Sequence, residues 1–536
     1  MLRPRMAPLV AAPPPLERAL WVLALAAAAA AVLLFVFVAA SRIGCPHELE
    51  WMEGALVDHA GRVADGLPLY CAPGPEHVPF LYAPLLFWLG GGLMALGLDG
   101  LLALRAIAAV TSLAAALLIG HWVRRETGRV APGLVASGLF LAGYGWVAWW
   151  YDLARNDGPF VLAMLASGYL LRHGGRRGWL WAALLGTVAF LAKQSALMWL
   201  PALAAGAICC DWRTGLRFSL AVAGGIGAAV LALHLATDGW STFYVFVMPR
   251  FHGWHGERTF AFWVEDLRPM LVLTALGIAG FVAAARRGQL RTALLLAAFG
   301  SGGLVTSWAS RLHVGGFDNV LLYGLAAGCV LGPAAAAAFT ERWRWLVPAL
   351  LLVGLGGLGA GAWQRWQPEP PLPTAAHRRA HEELAAFVAA QDGPVWIPAH
   401  GGITRRLGRG SHAHGQAIFD LLQALPKDEH GLDVLALHDR ARLAHLPPRV
   451  VAAMTGFVDR TDAALRERRF AAIVVDEVGA HAFAPLFAHG LVGDDGQLGT
   501  GDDPYVRQPT PLLREPGALR PLLGYEVHTP FVWLRR

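Results

Sequence analysis

Charged residues are scarce in this chain: 15% of 536 positions, against about a quarter in an ordinary soluble protein. With 56% hydrophobic residues and a mean hydropathy of +0.46, that scarcity excludes a solvated globular protein of this length. Cysteine is scarce too. Five residues with no CxxC and no Cys/His metal spacing exclude a disulfide scaffold and a zinc module. No segment repeats at a fixed period, which removes the solenoid architectures and counts against transporters built from repeats. No cleavable leader is expected either, because the apolar run 16–40 is too long for a signal-peptide core and reads as a permanent first span. The net charge of +6 does not imply nucleic acid, since the arginines sit in short loops between apolar runs.

What is present is a series of apolar runs near bilayer-spanning length. They predict a polytopic α-helical membrane protein with about eleven transmembrane helices: 17–40, 100–123, 130–150, 158–172, 178–193, 195–210, 216–236, 269–285, 291–308, 318–340 and 343–364. The loops between them alternate in character. One set is short and basic: 124–129, 172–177, 213–217, 286–291 and 342–344, joined by Arg3, Arg5 and Arg18 at the N-terminus. The other set, 41–99, 151–157, 237–268 and 309–317, carries acids, histidines and aromatics. The positive-inside rule places the first set in the cytoplasm. The run 80–98 is also apolar, but it holds Pro84 and Gly90-Gly91-Gly92. As a span it would invert every later loop, so it is expected to be an interfacial or re-entrant helix on the outer face.

Composition changes after Trp366. Pro368, Pro370, Pro371 and Pro373 mark a linker over 366–374. The more polar 375–536 is expected to form an extracytoplasmic α/β domain, with an amphipathic helix over 377–390 and buried strands at 393–398 and 471–476. The membrane module is then 1–365, with the first outer loop at 41–99. Cys45 and Cys71 both fall in that loop, where oxidation is allowed, and are either bridged or two free thiols. Cys209 and Cys210 lie at an expected cytoplasmic end and Cys329 in a span.

Five polar constellations fall on the same expected face. Glu48-Leu49-Glu50-Trp51-Met52-Glu53-Gly54 puts three carboxylates in six residues just after the first span. Carboxylates are costly in hydrocarbon, so they mark the water–lipid boundary. On a helix, Glu50, Glu53 and Val57 would share one face, and a partly desolvated carboxylate there can act as a general base. The alternative is an amphipathic helix on lipid headgroups anchored by Trp51. In Tyr151-Asp152-Leu153-Ala154-Arg155-Asn156-Asp157, Arg155 can grip a phosphate. Asp157 can orient substrate or a metal, or simply cap the next helix. The alternative for Arg155 is a surface ion pair with Asp152. Lys193-Gln194-Ser195 offers a point charge for a phosphate or a snorkelling lysine. The fourth stretch, 240–266, carries Arg250, His252 and Arg258, and the fifth, 310–319, carries Arg311, His313 and Asn319. Chance would scatter five such clusters over both faces.

In their order these pieces resemble a family. Glu50-Trp51-Met52-Glu53-Gly54-Ala55, Asp65-Gly66-Leu67-Pro68-Leu69-Tyr70 and Phe80-Leu81-Tyr82-Ala83-Pro84-Leu85 look like the first outer loop of GT-C glycosyltransferases. The likeness is to the broad group related to protein O-mannosyltransferases and aminoarabinose transferases. Arg155-Asn156-Asp157, Lys193-Gln194-Ser195 and Gly315-Gly316-Phe317-Asp318-Asn319 are similar to that group's Arg-x-Asp, Lys-Gln-Thr and Gly-Gly-x-Asn patterns. The resemblance covers about residues 15–365. That loop usually carries an Asp-Glu pair in the family. Here it reads Glu48-Leu49-Glu50, so Glu50, Glu48 and Glu53 all stand as candidate bases.

The resemblance implies transfer of a sugar from a polyprenyl phosphate donor to a lipid, glycan or protein hydroxyl, with inversion, at the outer face of a bacterial cytoplasmic membrane. Asp157, Arg155, Lys193, Gln194, Tyr82, His252, Arg258, Arg311, His313 and Asn319 would bind substrate, and a divalent metal, if used, would fall to Asp157. The rival reading is a membrane transporter or lipid flippase with an outer domain, which would place charges at mid-membrane. A purely structural protein would leave the five clusters unexplained.

Overall fold

A computed structural model describes residues 14–475 apart from 338, 340–342, 368–369, 429–430, 434–435, 438 and 440, together with 505–507, 512–513, 522 and 531–535. Arg3, Arg5, Arg342, Pro368 and Asp476, used in the reading above, lie outside the described residues.

Helices dominate the first two thirds of the chain. α1 (Pro15–Ile43) is followed by two short helices, α2 (Glu53–Ala64) and α3 (Leu85–Ala95). Then come α4 (Gly100–Thr127), α5 (Val130–Trp146), α6 (Asp157–His173), α7 (Gly178–Ala192), α8 (Ala196–Cys210) and α9 (Trp212–Ala236). Two short turns, α10 (Trp240–Thr242) and α11 (Arg258–Ala261), lead to α12 (Leu271–Arg286), α13 (Leu290–Leu312), α14 (Leu322–Ala334) and α15 (Leu346–Trp366). Each expected span therefore coincides with a helix. Seven helices are long and apolar enough to cross a membrane by length and composition. The others, α5 to α8, run 15 to 17 residues. Leu117 is 71% exposed, Leu220 65% and Leu235 69%, an apolar surface that only hydrocarbon solvates without penalty.

Local chemistry sets the helix ends. The Asp99 side chain accepts from the Leu102 N–H to start α4, and Gly128 in the left-handed region ends it. α3 has only 11 residues, roughly 17 Å at 1.5 Å per residue, too short to cross. Its glycines serve packing: a Cβ on Gly91 would meet the Ala60 carbonyl and Val63 of α2.

The C-terminal region holds α16 (Ala375–Ala389), α17 (Ile403–Arg406), α18 (Gly415–Leu422) and α19 (Pro448–Arg466). Its strands are β1 (Val395–Trp396), β2 (Lys427–Asp428), β3 (Gly431–Leu432), β4 (Ala472–Val475), β5 (Tyr505–Arg507) and β6 (Phe531–Arg535). β1, β4, β6 and β5 form one sheet in that order, with β1 parallel to β4 and the other pairs antiparallel. β2 and β3 form a separate two-stranded ladder. α16 starts in a capping box, with the Thr374 hydroxyl on the His377 N–H and the His377 ring on the Thr374 N–H.

This region docks directly on the first loop. Buried side chains of α2 and the 69–87 segment share one apolar cluster with α18, α19 and the 243–248 turn. A Cβ on Gly54 would overlap the Gly401 carbonyl and the Glu48 carboxylate, so two glycines let the backbones touch. The Arg449 guanidinium donates to the Asp238 carbonyl and covers the Trp240 ring. The loops 41–99, 147–156, 237–268 and 309–317 thus gather at one end of the bundle, beneath the C-terminal region. Cys45 and Cys71 are both free thiols. The Cys45 sulfur instead lies 3.2 Å from a ring nitrogen of His47.

Candidate active site

The acidic segment does not form a single helix. α2 begins only at Glu53, and Glu48 to Met52 form the turn before it. Glu50 and Glu53 therefore do not share a helix face, and the three carboxylates meet three different partners.

Glu53 is fully buried and bound on every side. Arg105, the one arginine in the apolar stretch 100–123 of α4, donates through Nε to Oε1 at 2.9 Å and through Nη2 to Oε2 at 2.5 Å. The Ala154 N–H adds a bond to Oε1 at 2.9 Å and the Leu49 N–H one to Oε2 at 2.8 Å. Burial works against ionisation, yet these donors hold the Glu53 carboxyl below its ordinary pKa. Arg105 also donates to the carbonyls of Arg42, Cys45 and His47. The pair is a frame for the loop, and Glu53 has no lone pair left to take a proton. Its candidacy as base is corrected on that ground.

Glu48 points away from the other two. Its Oε1 accepts from the Gly54 N–H at 2.9 Å and its Oε2 lies 2.8 Å from His400 Nδ1. It lines a separate cavity of about 190 Å³, with His47, His377, His381 and His400 on the other walls. Burial raises its pKa and His400 partly offsets that.

Glu50 is different. It is 0% exposed, its Oε2 accepts from the Met52 N–H at 3.2 Å, and its Oε1 has no hydrogen-bond partner. Burial pushes its pKa up to about 8, partly offset by Arg155. A carboxyl poised near neutrality with an open oxygen is what a general base requires.

Arg155 faces Glu50 with 3.6 Å between Nη1 and Oε2. It donates to the Met52 sulfur at 2.9 Å and the Tyr82 hydroxyl at 3.0 Å, between the Tyr82 and Trp150 rings. Among the described residues no carboxylate comes closer, so the guanidinium lacks a bidentate anion. The surface pair with Asp152 does not exist: Arg155 is buried, and Asp152 binds Arg42 Nη1 at 2.9 Å and the Tyr144 hydroxyl at 2.5 Å. The turn that separates the two roles is strained. Ala148 and Trp149 have φ of 53° and 64°, each costing about 1–3 kcal/mol, and the Trp149 carbonyl is held by Arg42.

Beyond Arg155, Asp157 gathers three motifs. Oδ1 accepts from Lys193 Nζ at 2.7 Å and the Tyr323 hydroxyl at 2.7 Å, and Oδ2 from Asn319 Nδ2 at 3.0 Å. It does not cap α6, whose N-cap residue is Asn156. Lys193 is buried and paired, so it does not snorkel. Gln194 donates to the Leu81 carbonyl beside Tyr82. The donors around Asp157 do not fit a metal there, because an ammonium already sits where a cation would. Among the described residues no group of three His, Cys, Asp or Glu could hold one.

Two predicted ligands are not brought to this centre. Arg311 is bound by Asp266 at 2.9 Å and Asp318 at 2.6 Å, and Arg258 lies half-buried 4.0 Å from Asp266. They brace the 253–319 loops. His252 and His313 stack at 4.9 Å and border α18. Trp51 is also corrected: it is 8% exposed, against Phe317 and His414, and is not a headgroup anchor.

No protein-family model matches the chain, and no curated protein matches it in sequence. Solved structures match in fold, two of ArnT among them. ArnT from Cupriavidus metallidurans bound to undecaprenyl phosphate has a TM-score of 0.57 at 12% identity, over 94% of this chain and 97% of its own. The apo state of ArnT from the same organism has a TM-score of 0.51 at 15% identity, over 85% and 94%.

The chain has the GT-C fold.

Sequence reading missed several residues of this site. Arg105 carried a visible signal, a lone arginine within an apolar run. Arg42 closed the first span in the same way. His400 and Asp420 carried none, because His400 lies 352 positions from Glu48 and Asp420 meets His252 only through the fold.

Proposed function

We propose that this protein is an integral membrane glycosyltransferase. It moves a sugar from a polyprenyl phosphate donor to an acceptor hydroxyl at the outer face of a bacterial cytoplasmic membrane. One observation carries the reading: a buried carboxylate with an open oxygen, Glu50, lies beside a buried guanidinium with no bidentate partner, Arg155. Glu50 takes the proton of the acceptor hydroxyl. The acceptor oxygen bonds to the anomeric carbon as the bond from that carbon to the phosphate oxygen breaks, so configuration inverts. Polyprenyl phosphate leaves with the electron pair, and Arg155 and Lys193 stabilise its charge. Asp157, fixed by Tyr323 and Asn319, positions Lys193.

A place for the lipid supports the reading. A mostly apolar groove of about 540 Å³ runs among α12, α13 and α14 from Glu126 and Arg172 to Gly324. Gly324 adjoins Tyr323, a partner of Asp157. A polyprenyl chain in that groove would carry its phosphate toward Lys193. The fold likeness to ArnT, whose structure holds undecaprenyl phosphate, agrees with this class of donor.

Loss of a charge-assisted contact costs about 1.5–3 kcal/mol. Arg155→Ala and Lys193→Ala are therefore each expected to weaken undecaprenyl phosphate binding on the order of tenfold or more. Arg155→Lys should weaken it as well, since a point charge cannot replace a planar fork. Binding to the purified protein in nanodiscs measures this, and unchanged affinity in both Ala variants would remove the phosphate role.

The orientation has eleven crossings, the N-terminus inside and the 375–536 domain outside, joined through the 366–374 linker. A cysteine at His255, in the 237–268 loop, should then react with an impermeant maleimide added outside, and one at Arg125 should not. Labelling at Arg125 from outside would invert the topology.

A further inference from the structure

The reaction above uses one wall of the site, and the C-terminal region supplies another. Asp420, on α18, is 6% exposed, unusually deep for a carboxyl side chain. Its Oδ1 accepts from Gln416 Nε2 at 2.7 Å, one helical turn back. His252 Nε2 stands 3.6 Å from the same oxygen, beyond hydrogen-bond reach, and neither His252 ring nitrogen makes a hydrogen bond. Burial pushes the Asp420 pKa to about 8, with Gln416 and then Arg155 lowering it. Burial raises the Tyr82 hydroxyl, Arg155 opposes that, and Asp420 when ionised adds to the rise. His414, the N-cap residue of α18, packs on Trp51, next to Glu50 in the chain, and on Phe80, whose ring also meets Tyr82, so α18 brings Asp420 to the wall that carries Glu50, Tyr82 and Arg155.

The segments around it carry polar atoms without partners. Glu50 Oε1, Gln194 Oε1 and both His252 nitrogens are buried and unbonded. Buried polar groups left unpaired are costly, and these atoms, on segments that pack against Asp420, Tyr82 and Arg155, call for a polar ligand. Carboxylate and amide oxygens need donors, while an imidazole offers one donor and one acceptor. A hydroxyl donates and accepts at once, so a polyhydroxylated ring satisfies both kinds of group.

We infer that Asp420 is a sugar-binding residue that holds a substrate hydroxyl between its carboxyl and His252, making the C-terminal domain part of the transfer site. The inference rests on the glycosyltransferase reading and deepens it. The hydroxyl belongs to the donor sugar or to a sugar acceptor, and the two sources give different results in one experiment.

Full-length protein in nanodiscs is titrated with bare undecaprenyl phosphate and with a panel of undecaprenyl phosphate hexoses and pentoses. Wild type is compared with Asp420→Ala and Asp420→Asn. Asp420→Ala is expected to bind bare undecaprenyl phosphate within twofold of wild type. It should lose about tenfold of the extra affinity that the best sugar-bearing lipid shows. Asp420→Asn, which keeps the size and the bond to Gln416, should fall between. If donor affinity holds but KM for octyl glycosides as acceptors rises about tenfold, the hydroxyl is the acceptor's. Unchanged donor affinity and unchanged acceptor KM in Asp420→Ala would overturn the inference. So would an equal loss for bare and sugar-bearing lipid, which marks a structural role. Wild-type protein that binds no undecaprenyl phosphate at all would instead defeat the transfer reading on which the inference stands.

Discussion

Glu50→Gln is expected to abolish sugar transfer while the protein still folds and binds undecaprenyl phosphate. General base catalysis contributes about 10²–10⁴-fold, and the amide cannot take the acceptor proton. The Met52 N–H can still donate to the Gln carbonyl in place of Oε2, so the turn should survive. The pH dependence separates this role from a structural one. Burial raises the Glu50 pKa to about 8, so the ionised base accumulates only as pH rises through that value. Wild-type kcat/KM should climb from pH 6 to pH 9 with an apparent pKa near 8. Stability runs the other way. A carboxyl whose folded pKa is raised stays protonated in the folded state while the unfolded chain ionises, so its contribution falls between the ordinary carboxyl range and pH 8. At pH 8.5 Glu50→Gln should thus be at least as stable as wild type. Near wild-type turnover in Glu50→Gln, or a pH profile flat across that range, would remove Glu50 from catalysis. Glu48→Gln then becomes the decisive variant, since Glu53 is bound on both oxygens.

Arg105→Ala is expected to destabilise the fold rather than the chemistry. Arg105 and Glu53 are each 0% exposed and joined by two hydrogen bonds. Removing one partner of such a pair leaves an uncompensated buried charge, at about 3–5 kcal/mol. Arg105 also holds three carbonyls between Arg42 and His47, so the turn that places Glu50 should loosen with it. Glu53→Gln should cost less than Arg105→Ala, because the amide oxygen still accepts from Arg105. Arg105→Met with Glu53→Met should recover a large part of the loss, because a matched apolar pair strands no charge. Thermal unfolding in detergent measures all four proteins. A midpoint for Arg105→Ala within a degree or two of wild type would show that the pair does not carry the loop.

The class, the helices and the shared face of the polar loops were legible in the linear chain. Hydrophobic period and length are local properties, and a bilayer imposes them run by run. Gly90-Gly91-Gly92 and Pro84 marked a helix of only 11 residues, because glycine and proline act on their own backbone. The motifs around Arg155, Asp157, Lys193 and Asn319 were legible as candidates for the same reason: charge beside an apolar run is conspicuous.

Tertiary structure decided which candidates act together. Three glutamates within six residues look equivalent in sequence, yet Glu53 meets Arg105, Glu48 meets His400 and Glu50 meets Arg155. Those partners come from α4, the C-terminal domain and the turn after α5. A carboxylate's pKa and role follow from the donors and the water around it, and these arrive from residues about 50 to 350 positions away. Arg311 and Arg258 were as conspicuous as Arg155, but Asp266 and Asp318 bind Arg311, and Arg258 stands beside Asp266. Asp420 was invisible, because an acid on a short amphipathic helix reads as solvated until a second domain buries it. Sequence by itself determined the solvent of this protein and the side on which its polar loops collect, since both depend on runs of neighbours. Only the fold decided which charge is left with an open oxygen, which is bound into a frame and which meets the C-terminal domain, since those depend on burial and pairing across the whole chain.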